Sequence, residues 1–571
     1  MDRNYVVGLI LIALVFFGWM LYVGQNMPAN PPAVESDSLA IGEIDTLSQQ
    51  HEGLPTSDNE PLQLRVTALD SLVANSDTLS VEVISVETDL YSAKLSTKGA
   101  GLTSCILTKF ENYHTKKHGI EMVNSGGLSV PNFRFDQGRF NVQQLNFTAD
   151  RSSISLSGEN SDRIVFTYEF PTGESITKTY TFYGDRYSFD IEFEMSGVNS
   201  LGFSDRYEFF YGPGLKPTEE KVKNDLNSFK AFALMGGDLE KFDDFDDRNQ
   251  IHEDLDGITD WVSTRSRFFT VALVPISRDA SGLSINGSKR KNDEKHGVTG
   301  YCNIGIALKM RLAQRNDLFD SYTVYLGPLD YYKLKAYGKE LENTLDLGWA
   351  IIRPFSKFVT WLLVEFHKVI PNYGVVIIIF TILMKIVFSP LSFISMKSMR
   401  KMQQIQPLIN EIREKYKKDP QRMNQETMKL YKTEKINPVG GCLPMLPQIP
   451  IFYALFTVFR STIEFRGAPF IWWMKDLSQP DPLYILPVLM AATMFAQQKM
   501  TMKDPKQKLM IYIFPVMFLF WGISFPMGLV LYWTIFNIFG FFEAIFIHKR
   551  HLPVTPLPAT NVKSSGEPKN K

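Results

Sequence analysis

The sequence predicts a multidomain membrane protein. It would combine a six-helix α-helical transmembrane bundle, a large extracytoplasmic all-β sandwich domain and a cytoplasmic helical hairpin. Apolar and polar residues alternate with period two through residues 79–340, which is typical of half-buried strands. Five long apolar segments follow residue 373, and another lies near the N-terminus. A chain of 571 residues is also too long for one ordinary core, so several domains are expected.

Composition and motifs argue against the common enzyme classes. The formal net charge of −1 gives no overall signal for nucleic-acid binding. The three cysteines, Cys105, Cys302 and Cys442, are too far apart for a zinc or redox motif. The sequence contains no phosphate-binding loop, no H-E-x-x-H and no G-x-S-x-G. We therefore expect no enzymatic activity, no catalytic residues, no cofactor and no metal.

The N-terminal 78 residues divide into an anchor and a linker. Residues 5–23 form an apolar segment of 19 residues, which suits a spanning helix, so we interpret residues 1–25 as an uncleaved transmembrane signal anchor. Arg3 precedes this segment and acidic residues follow it, which places the N-terminus in the cytoplasm. Residues 26–78 are rich in Pro, Ser, Asp and Glu, and we expect a flexible extracytoplasmic linker.

The all-β domain is predicted from short alternating runs separated by Gly, Asn and Asp. The clearest runs are residues 80–87, 163–170, 176–183, 187–195 and 267–276. The dipeptide Asn286-Gly287 predicts a hairpin turn. Cys105 and Cys302 both lie in this domain and could pair, which the sequence leaves open.

One acidic run in this domain is a weak candidate for cation binding. Residues 243–248, DDFDDR, concentrate carboxylates but depart from the spacing of an EF-hand loop. We therefore favour a solvated loop, with metal binding as the alternative.

Residues 349–368 predict an amphipathic helix lying in the membrane surface. Its apolar stripe consists of Ile351, Ile352, Phe355, Phe358, Val359, Leu362 and Phe366. Arg353, Lys357 and Lys368 lie off that stripe. The alternative is a helix packed as a collar on the β domain.

Five further apolar segments predict membrane spans over 373–393, 440–460, 482–499, 509–525 and 528–547. Residues 392–436 hold eleven Lys and Arg against five Asp and Glu, so this connection is expected in the cytoplasm. With the signal anchor the chain would span the membrane six times and place both termini in the cytoplasm. Residues 548–571 would form a short cytoplasmic tail.

Lys385 is the main candidate for a functional charge. It lies twelve residues after Tyr373, about 18 Å along a helix and past the middle of a hydrocarbon core. Glu543 falls near the end of the last segment, so we expect no fixed acidic partner at the depth of Lys385. An unpaired cation there indicates a hydrated groove. The alternative is a side chain that snorkels to the cytoplasmic surface.

Polar residues on other segments could line the same groove. They are Thr381, Gln448, Thr493, Gln497, Trp533 and Asn537. Thr381 precedes Lys385 by four residues and shares its helix face. Each of these residues could instead form interhelical hydrogen bonds that hold the bundle together.

Residues 394–436 predict a cytoplasmic helical hairpin interrupted at Asp419-Pro420. Five methionines give this segment an adaptable apolar face that suits binding of apolar clients: Met396, Met399, Met402, Met423 and Met428. The alternative is that they pack the hairpin against itself.

Several stretches resemble the YidC/Oxa/Alb family of membrane protein insertases, in the long Gram-negative form. They are SPL (389–391), YKTEKINPVGGCLPMLPQIPIFYALF (431–456), FRGAPFIWWMKDLSQPDPLYILPVLM (465–490) and FPMGLVLYWTIFN (525–537). The resemblance makes residues 373–547 the insertase core and the β domain and linker periplasmic. It implies a positively charged groove open to the cytoplasm and lipid. Lys385 stands where the family carries an Arg, and Thr381 matches a family Thr; Lys keeps the charge but loses the bidentate fork.

The resemblance also implies the partners and the location. The clients would be nascent segments of membrane proteins, inserted into the bacterial inner membrane alone or beside the Sec translocon. Anionic phospholipids would contact the basic hairpin, whereas the short tail implies at most weak ribosome binding. A secondary transporter and a sugar-sensing receptor are the alternative functions.

Overall fold

The computed structural model describes residues 80–550, with gaps at 125, 136–139, 199–202, 204, 291–299, 313–315, 349–350, 435, 437–444 and 502–507. The predicted signal anchor (1–25), the linker (26–78) and residues 551–571 of the predicted tail lie outside the described residues. The chain divides into two compact units, one ending at Thr344 and the other continuing from Leu345.

The first unit is built from nineteen described strands. They are β1 (Val83–Glu87), β2 (Tyr91–Ser96), β3 (Gly101–Asn112), β4 (Lys117–Glu121), β5 (Asn132–Phe135), β6 (Phe140–Asn141), β7 (Thr148–Ala149), β8 (Ser153–Ser155), β9 (Ser161–Glu169), β10 (Ser175–Tyr183), β11 (Ser188–Ser196), β12 (Arg206–Tyr211), β13 (Lys230–Met235), β14 (Asp238–Phe242), β15 (Gln250–Arg265), β16 (Phe269–Pro275), β17 (Ala280–Arg290), β18 (Tyr301–Arg311) and β19 (Leu318–Pro328). The described part of this unit also contains two short α-helices, α1 (Val222–Leu226) and α2 (Tyr331–Lys335), and a 3₁₀ helix at Val142–Gln144.

The strands form two sheets. The smaller sheet has the order β4-β3-β2-β1-β8, and the larger has fourteen strands with the central order β12-β18-β17-β15-β16-β19-β11-β10-β9. Buried and more exposed residues alternate along strands such as β9 and β11, so one face of each strand packs against the core. The prediction of a large all-β domain is confirmed, and each of the five alternating runs contains a strand.

Lys178 on β10 connects the two sheets. Its fully buried Nζ donates to the carbonyl oxygen of Gly99 at 2.7 Å and to Oδ1 of Asn132 at 2.6 Å. Burial lowers the pKa of Lys178 well below its ordinary value. The Tyr180 hydroxyl donates to the carbonyl oxygen of Ala100 at 2.6 Å, so a second residue of β10 holds the same turn.

The predicted hairpin turn at Asn286-Gly287 is wrong. Both residues lie inside β17, where Asn286 pairs with His252 on β15 and with Gly305 on β18. A Cβ at Gly287 would approach the Ile251 side chain to 2.9 Å, so glycine allows a close approach between strands. The dipeptide therefore reflects packing in a central strand and not a turn with positive φ.

Cys105 and Cys302 do not form a disulfide. Both are buried free thiols, and they lie on different sheets, in β3 and β18. Within the acidic run, Asp246 shapes a turn by accepting hydrogen bonds from the backbone N–H groups of Arg248 and Gln250.

The second unit is helical in its described part. Its helices are α3 (Arg353–Val369), α4 (Tyr373–Gln404), α5 (Gln406–Lys415), α6 (Pro420–Thr433), α7 (Met445–Ser461), α8 (Ile485–Thr501), α9 (Lys508–Gly522) and α10 (Met527–Arg550). Among the described residues, α4 and the part of α10 up to Phe546 are long and apolar enough to cross a membrane, and α9 is a shorter apolar helix.

Helix α4 is longer than the predicted span. Its first turn is capped by Asn372, whose Oδ1 accepts a hydrogen bond from the Val375 N–H. Pro390 lies inside the helix, although proline removes a backbone donor. Because Pro390 has no N–H, the carbonyl oxygen of Ile386 lacks its usual helical donor. The Ser389 hydroxyl donates to this oxygen at 2.9 Å and replaces the missing bond. The helix therefore continues past residue 393 to Gln404.

The predicted apolar stripe of α3 is divided between two environments. Ile352, Val359 and Leu362 are buried, and the helix contacts α4 and α7. Phe355 and Phe358 remain exposed, so part of the apolar face is not covered within this unit.

The segment predicted as a two-helix hairpin, residues 394–436, begins with the end of α4 up to Gln404, which is followed by α5 and α6. Asp419 caps α6 by accepting a hydrogen bond from the Arg422 N–H at 3.0 Å, directly before Pro420. A small buried cluster packs α5 against the residues that follow α6, and it consists of Ile405, Ile409 and Ile436.

Candidate functional site: an ion pair between two apolar helices

Lys385 on α4 forms an ion pair with Glu543 on α10. Lys385 Nζ lies 3.2 Å from Glu543 Oε2, and the two side chains are 11% and 17% exposed. Within residues 80–550 as described, these are the two helices that are long and apolar enough to cross a membrane. The pair therefore joins opposite charges between two apolar helices, where an isolated charge would be costly.

The expectation that Lys385 has no fixed acidic partner is wrong. Lys385 lies twelve residues after the start of α4, and Glu543 lies sixteen residues after the start of α10. At about 1.5 Å per residue these positions differ by only about 6 Å in distance from the helix start. The two long side chains cover this difference. The expectation had compared only the backbone depths of Lys385 and Glu543 and had not included the length of their side chains.

Two further residues of α10 complete the surroundings of the ammonium group. Lys385 Nζ lies 4.2 Å from the centre of the Phe536 ring, within the range of a cation–π interaction. A Cβ placed on Gly540 would lie 3.2 Å from this Nζ and 2.9 Å from Cδ of Gln497 on α8. Gly540 therefore allows Lys385 and Gln497 to approach the same point on the α10 backbone.

Phe536 and Gly540 were not singled out from the sequence, and Glu543 was considered but set aside as a partner of Lys385. They are spaced by four and three residues, so they share one face of α10. The sequence did contain one signal, a glycine between an aromatic residue and a carboxylate on the same helix face. This pattern indicates a binding site for a cation only when Lys385 is known to face it.

The structure brings one of the six predicted lining residues, Gln497, close to Lys385. Thr381 is buried and donates its hydroxyl to the carbonyl oxygen of Ile377 at 2.6 Å. Thr493 donates to the carbonyl oxygens of Leu489 and Met490. Both threonine hydroxyls therefore bond to their own helices, as such residues often do in apolar surroundings.

The other three predicted lining residues make contacts between helices. Gln448 on α7 donates a hydrogen bond from Nε2 to the Tyr532 hydroxyl at 2.7 Å. Asn537 Nδ2 lies 3.5 Å from the carbonyl oxygen of Met490. Trp533 packs edge-on against Phe452 with ring centres 5.0 Å apart. Their contribution to a client groove stays a prediction.

The five methionines of the predicted client-binding hairpin have different environments. Met402 packs against the cluster around Ile405, and Met423 is buried. Met396 and Met399 are half-buried on the last turns of α4. Met428 is 50% exposed. Packing therefore accounts for part of the set, whereas Met428 is available for other contacts.

Comparisons with known proteins cover both units of the chain. A family model described as the YidC periplasmic domain matches residues 83–362, and one described as 60Kd inner membrane protein matches residues 365–553. The membrane protein insertase YidC of Chlorobaculum parvum is 34% identical over 581 residues, covering 96% of this chain and 94% of the relative. That of Prosthecochloris aestuarii is 33% identical over 592 residues, covering 100% and 98%.

A solved structure of an active YidC insertase, with its first transmembrane domain resolved, aligns with 86% of this chain and 98% of that chain, at 17% identity and a TM-score of 0.34. The relatives named above are inner-membrane insertases, a class whose function is not enzymatic. The chain belongs to the YidC family of membrane protein insertases, and this membership makes it an inner-membrane protein.

Proposed function

We propose that this protein inserts nascent inner-membrane proteins into the bilayer and helps them fold, alone or with the Sec translocon. The clients would enter a hydrophilic, positively charged groove that is open to the cytoplasm and to lipid. The observation that carries this proposal is the ammonium group of Lys385, which lies inside apolar helix α4 with its side chain only 11% exposed. The family relationship supports the same function.

The proposed topology has six spans with both termini in the cytoplasm. The spans would be the N-terminal anchor and helices α4, α7, α8, α9 and α10. Helices α7 and α8 have 17 residues each, at the short end of the range of about 17–25 residues for a spanning helix. The β unit would then be periplasmic, and α3 would lie in the periplasmic surface of the inner membrane. Helices α5 and α6 would form the cytoplasmic hairpin.

The proposed mechanism uses charge and hydration without a covalent step. A client with a short acidic outer flank is attracted to Lys385, because Coulomb attraction is stronger where the dielectric constant is low. Polar groups near Lys385 reduce the cost of carrying the polar flank through hydrocarbon. The apolar client segment then moves into lipid, where its burial is favourable.

The proposed partners follow the distribution of charge. The basic segment 392–436 would contact anionic phospholipids at the cytoplasmic surface. Exposed Met428 would contact apolar client segments before they enter the bilayer. Ribosome contact through the short tail would be weak.

The test is a reconstitution in lipid vesicles with a small single-span client that has an acidic outer flank. Wild type is compared with Lys385→Arg, Lys385→Ala and Lys385→Glu. Lys368→Ala serves as the matched control, because Lys368 is exposed and pairs with Glu365 on the surface of α3. Thermal unfolding in detergent verifies that all variants fold.

We expect Lys385→Arg to insert the client, because the positive charge is retained. Lys385→Ala and Lys385→Glu should fail or insert slowly, while Lys368→Ala should match wild type. Equal insertion by all folded variants would show that the charge at residue 385 has no role. Insertion no better than in empty vesicles, even by wild type, would overturn the insertase proposal itself.

A further inference from the structure

We propose that Glu543 is an internal counter-ion of Lys385 that an acidic client residue displaces, so that the ion pair sets how strongly the site prefers acidic clients. This inference rests on the proposed insertase function and deepens it. The contact of 3.2 Å between Lys385 Nζ and Glu543 Oε2 gives the ammonium group an acidic partner before any client arrives. A client carboxylate would therefore enter by exchange, and would not meet an unpaired cation.

The first argument is that neither partner is saturated. Glu543 uses Oε2 for the ion pair, while its Oε1 is buried and has no hydrogen-bond partner among the described residues. The Lys385 ammonium has three N–H donors. Within the described part of the chain its polar contact is the one with Glu543, supplemented by the face of the Phe536 ring. Both groups retain capacity for another polar partner.

Charges that hold the β unit together are bonded differently. Lys178 donates to Gly99, Asn132 and, at 3.4 Å, Ala100, which uses its donor capacity. The buried carboxylate of Asp320 accepts two hydrogen bonds from Arg278, one from Ser277 and one from Tyr207. Such fully bonded charges resist exchange, because a new ligand would have to replace several bonds. The single contact between Lys385 and Glu543 lacks this resistance.

The second argument is access from one side of α4. Ile386 follows Lys385, lies about 100° from it around the helix, and is 64% exposed. The ion pair therefore lies beside an uncovered apolar surface, along which an apolar client segment could pack. On α10, Gly540 has no side chain to fill the space that Lys385 and Gln497 occupy. A client segment on this surface could bring its polar flank to the ammonium group.

The exchange requires no change in covalent structure or in the number of protons. The client carboxylate replaces Glu543 as the partner of Lys385, and Glu543 later returns and releases the client. Two carboxylates at one ammonium repel each other, so the return of Glu543 favours release. The pair would thus make capture reversible and would limit the preference for acidic clients.

The experiment measures client capture by the full-length protein in vesicles. Two stalled single-span clients are identical except for one Asp or Asn in the outer flank, and each carries a photoreactive residue beside that position. Capture is the cross-linked fraction at early times, and the readout is the Asp-to-Asn capture ratio. Glu543→Gln is compared with wild type, with Glu365→Gln as the matched control on the exposed pair of α3.

We expect Glu543→Gln to raise the Asp-to-Asn ratio about fivefold or more, which is the lower end of usual coupling between ligands of one protein. Glu365→Gln should leave the ratio at the wild-type value. The double variant Lys385→Gln/Glu543→Gln removes both charges and should give a ratio close to one. This variant is expected to fold even if a single change destabilises the site, because removing both ions avoids an unpaired charge.

An unchanged or lower ratio in folded Glu543→Gln would overturn the exchange proposal. So would a double variant that still prefers the Asp client, since the preference would then arise elsewhere. If wild type captures neither client above the background of empty vesicles, the insertase function fails instead. If Glu543→Gln changes capture of the Asp client and of the Asn client by the same factor, the insertase function stands but the proposed role of Glu543 is rejected.

Discussion

Gln448 on α7 and Tyr532 on α10 share a hydrogen bond of 2.7 Å, with the amide Nε2 as donor and the phenol oxygen as acceptor. Tyr532 is fully buried, and its ring lies 6.0 Å from that of Phe380 on α4. The hydrogen bond therefore joins α7 to α10, the helix that carries Glu543, and the Tyr532 ring also packs against α4, the helix that carries Lys385. In an apolar bundle such a bond is favoured because the separated groups would lack partners.

Replacing Tyr532 with Phe should destabilise the helical unit. The change leaves the Gln448 amide without its acceptor while it keeps the ring packing, so we expect a loss of about 1–2 kcal/mol. Thermal unfolding in detergent measures this effect. Tyr512→Phe is the matched control, because Tyr512 is 60% exposed on α9 and its substitution should have little effect. Equal melting temperatures for both variants and wild type would show that the bond adds nothing.

Substituting Gly540 with Ala should disturb the ion-pair site. The added methyl group would overlap the Gln497 amide and contact Lys385 Nζ, and overpacking of this kind costs about 1–3 kcal/mol. We expect client insertion to slow about fivefold or more, because this cost falls on the groups that hold Lys385. Gly522→Ala is the control, since its Cβ would approach the flexible end of Met490 to 2.9 Å and Pro487 only to ordinary contact distances of 3.4 and 3.7 Å. Normal insertion by Gly540→Ala would show that the close approach is not needed.

Most of the fold could be predicted because its signals are local. Alternating residues such as Ile164, Phe166 and Tyr168 on β9 form strands whose buried face matches the period of two. Failures occurred where a distant or side-chain contact decides the structure. The extended conformation of Gly287 is determined by its pairing with two neighbouring strands. Pro390 is tolerated in α4 because the Ser389 hydroxyl donates to the carbonyl oxygen of Ile386.

The candidate site could be predicted only in part. Lys385 was found because a charge inside an apolar run is costly and therefore informative. Glu543 was set aside, since the sequence shows backbone depth but not how far two side chains reach. Thr381 and Thr493 illustrate a second limit, because a hydroxyl can bond its own helix and contribute little to a groove. Residue type alone does not show where a polar group points.

The methionines of the hairpin can be separated into packing and binding roles. Met402 contacts the buried cluster of Ile405, Ile409 and Ile436, so Met402→Ser should destabilise the hairpin by about 1 kcal/mol or more. Met428 is 50% exposed, so Met428→Ser should leave the hairpin stable but reduce cross-linking to nascent clients. Limited proteolysis of segment 400–436 measures hairpin stability in both variants. Unchanged client cross-linking in Met428→Ser would assign no binding role to this methionine.

Asp225 of α1 is a buried carboxyl group with an altered proton affinity. Its Oδ2 accepts hydrogen bonds from the backbone N–H groups of Thr218 and Glu219, and its Oδ1 accepts one from Arg267. Burial, together with the nearby Glu219 carboxylate, raises the pKa of Asp225 from 3.8 to about 6, despite these hydrogen bonds. Folding of the β unit is therefore coupled to protonation of this side chain.

The raised pKa predicts that Asp225 stabilises the β unit at low pH. Below about pH 4 the group is protonated in both folded and unfolded chains, so its contribution is fully present. As the pH rises from about 4 to 6, only the folded state retains the proton. The free energy of unfolding should then fall by an amount on the order of 3 kcal/mol, at about 1.4 kcal/mol per pKa unit.

Urea unfolding of the full-length protein in detergent, followed by the circular dichroism of the β unit between pH 4 and 7, measures this slope. Asp225→Asn removes the titrating group, so its free energy of unfolding should fall less over this range than that of wild type. Asp162→Asn is the control, because Asp162 is a partly exposed carboxylate paired with Arg151 on the surface. The difference in slope between wild type and Asp225→Asn then reports the contribution of Asp225 together with its neighbour Glu219. Parallel pH profiles for wild type and Asp225→Asn would contradict the coupling of this carboxyl group to folding.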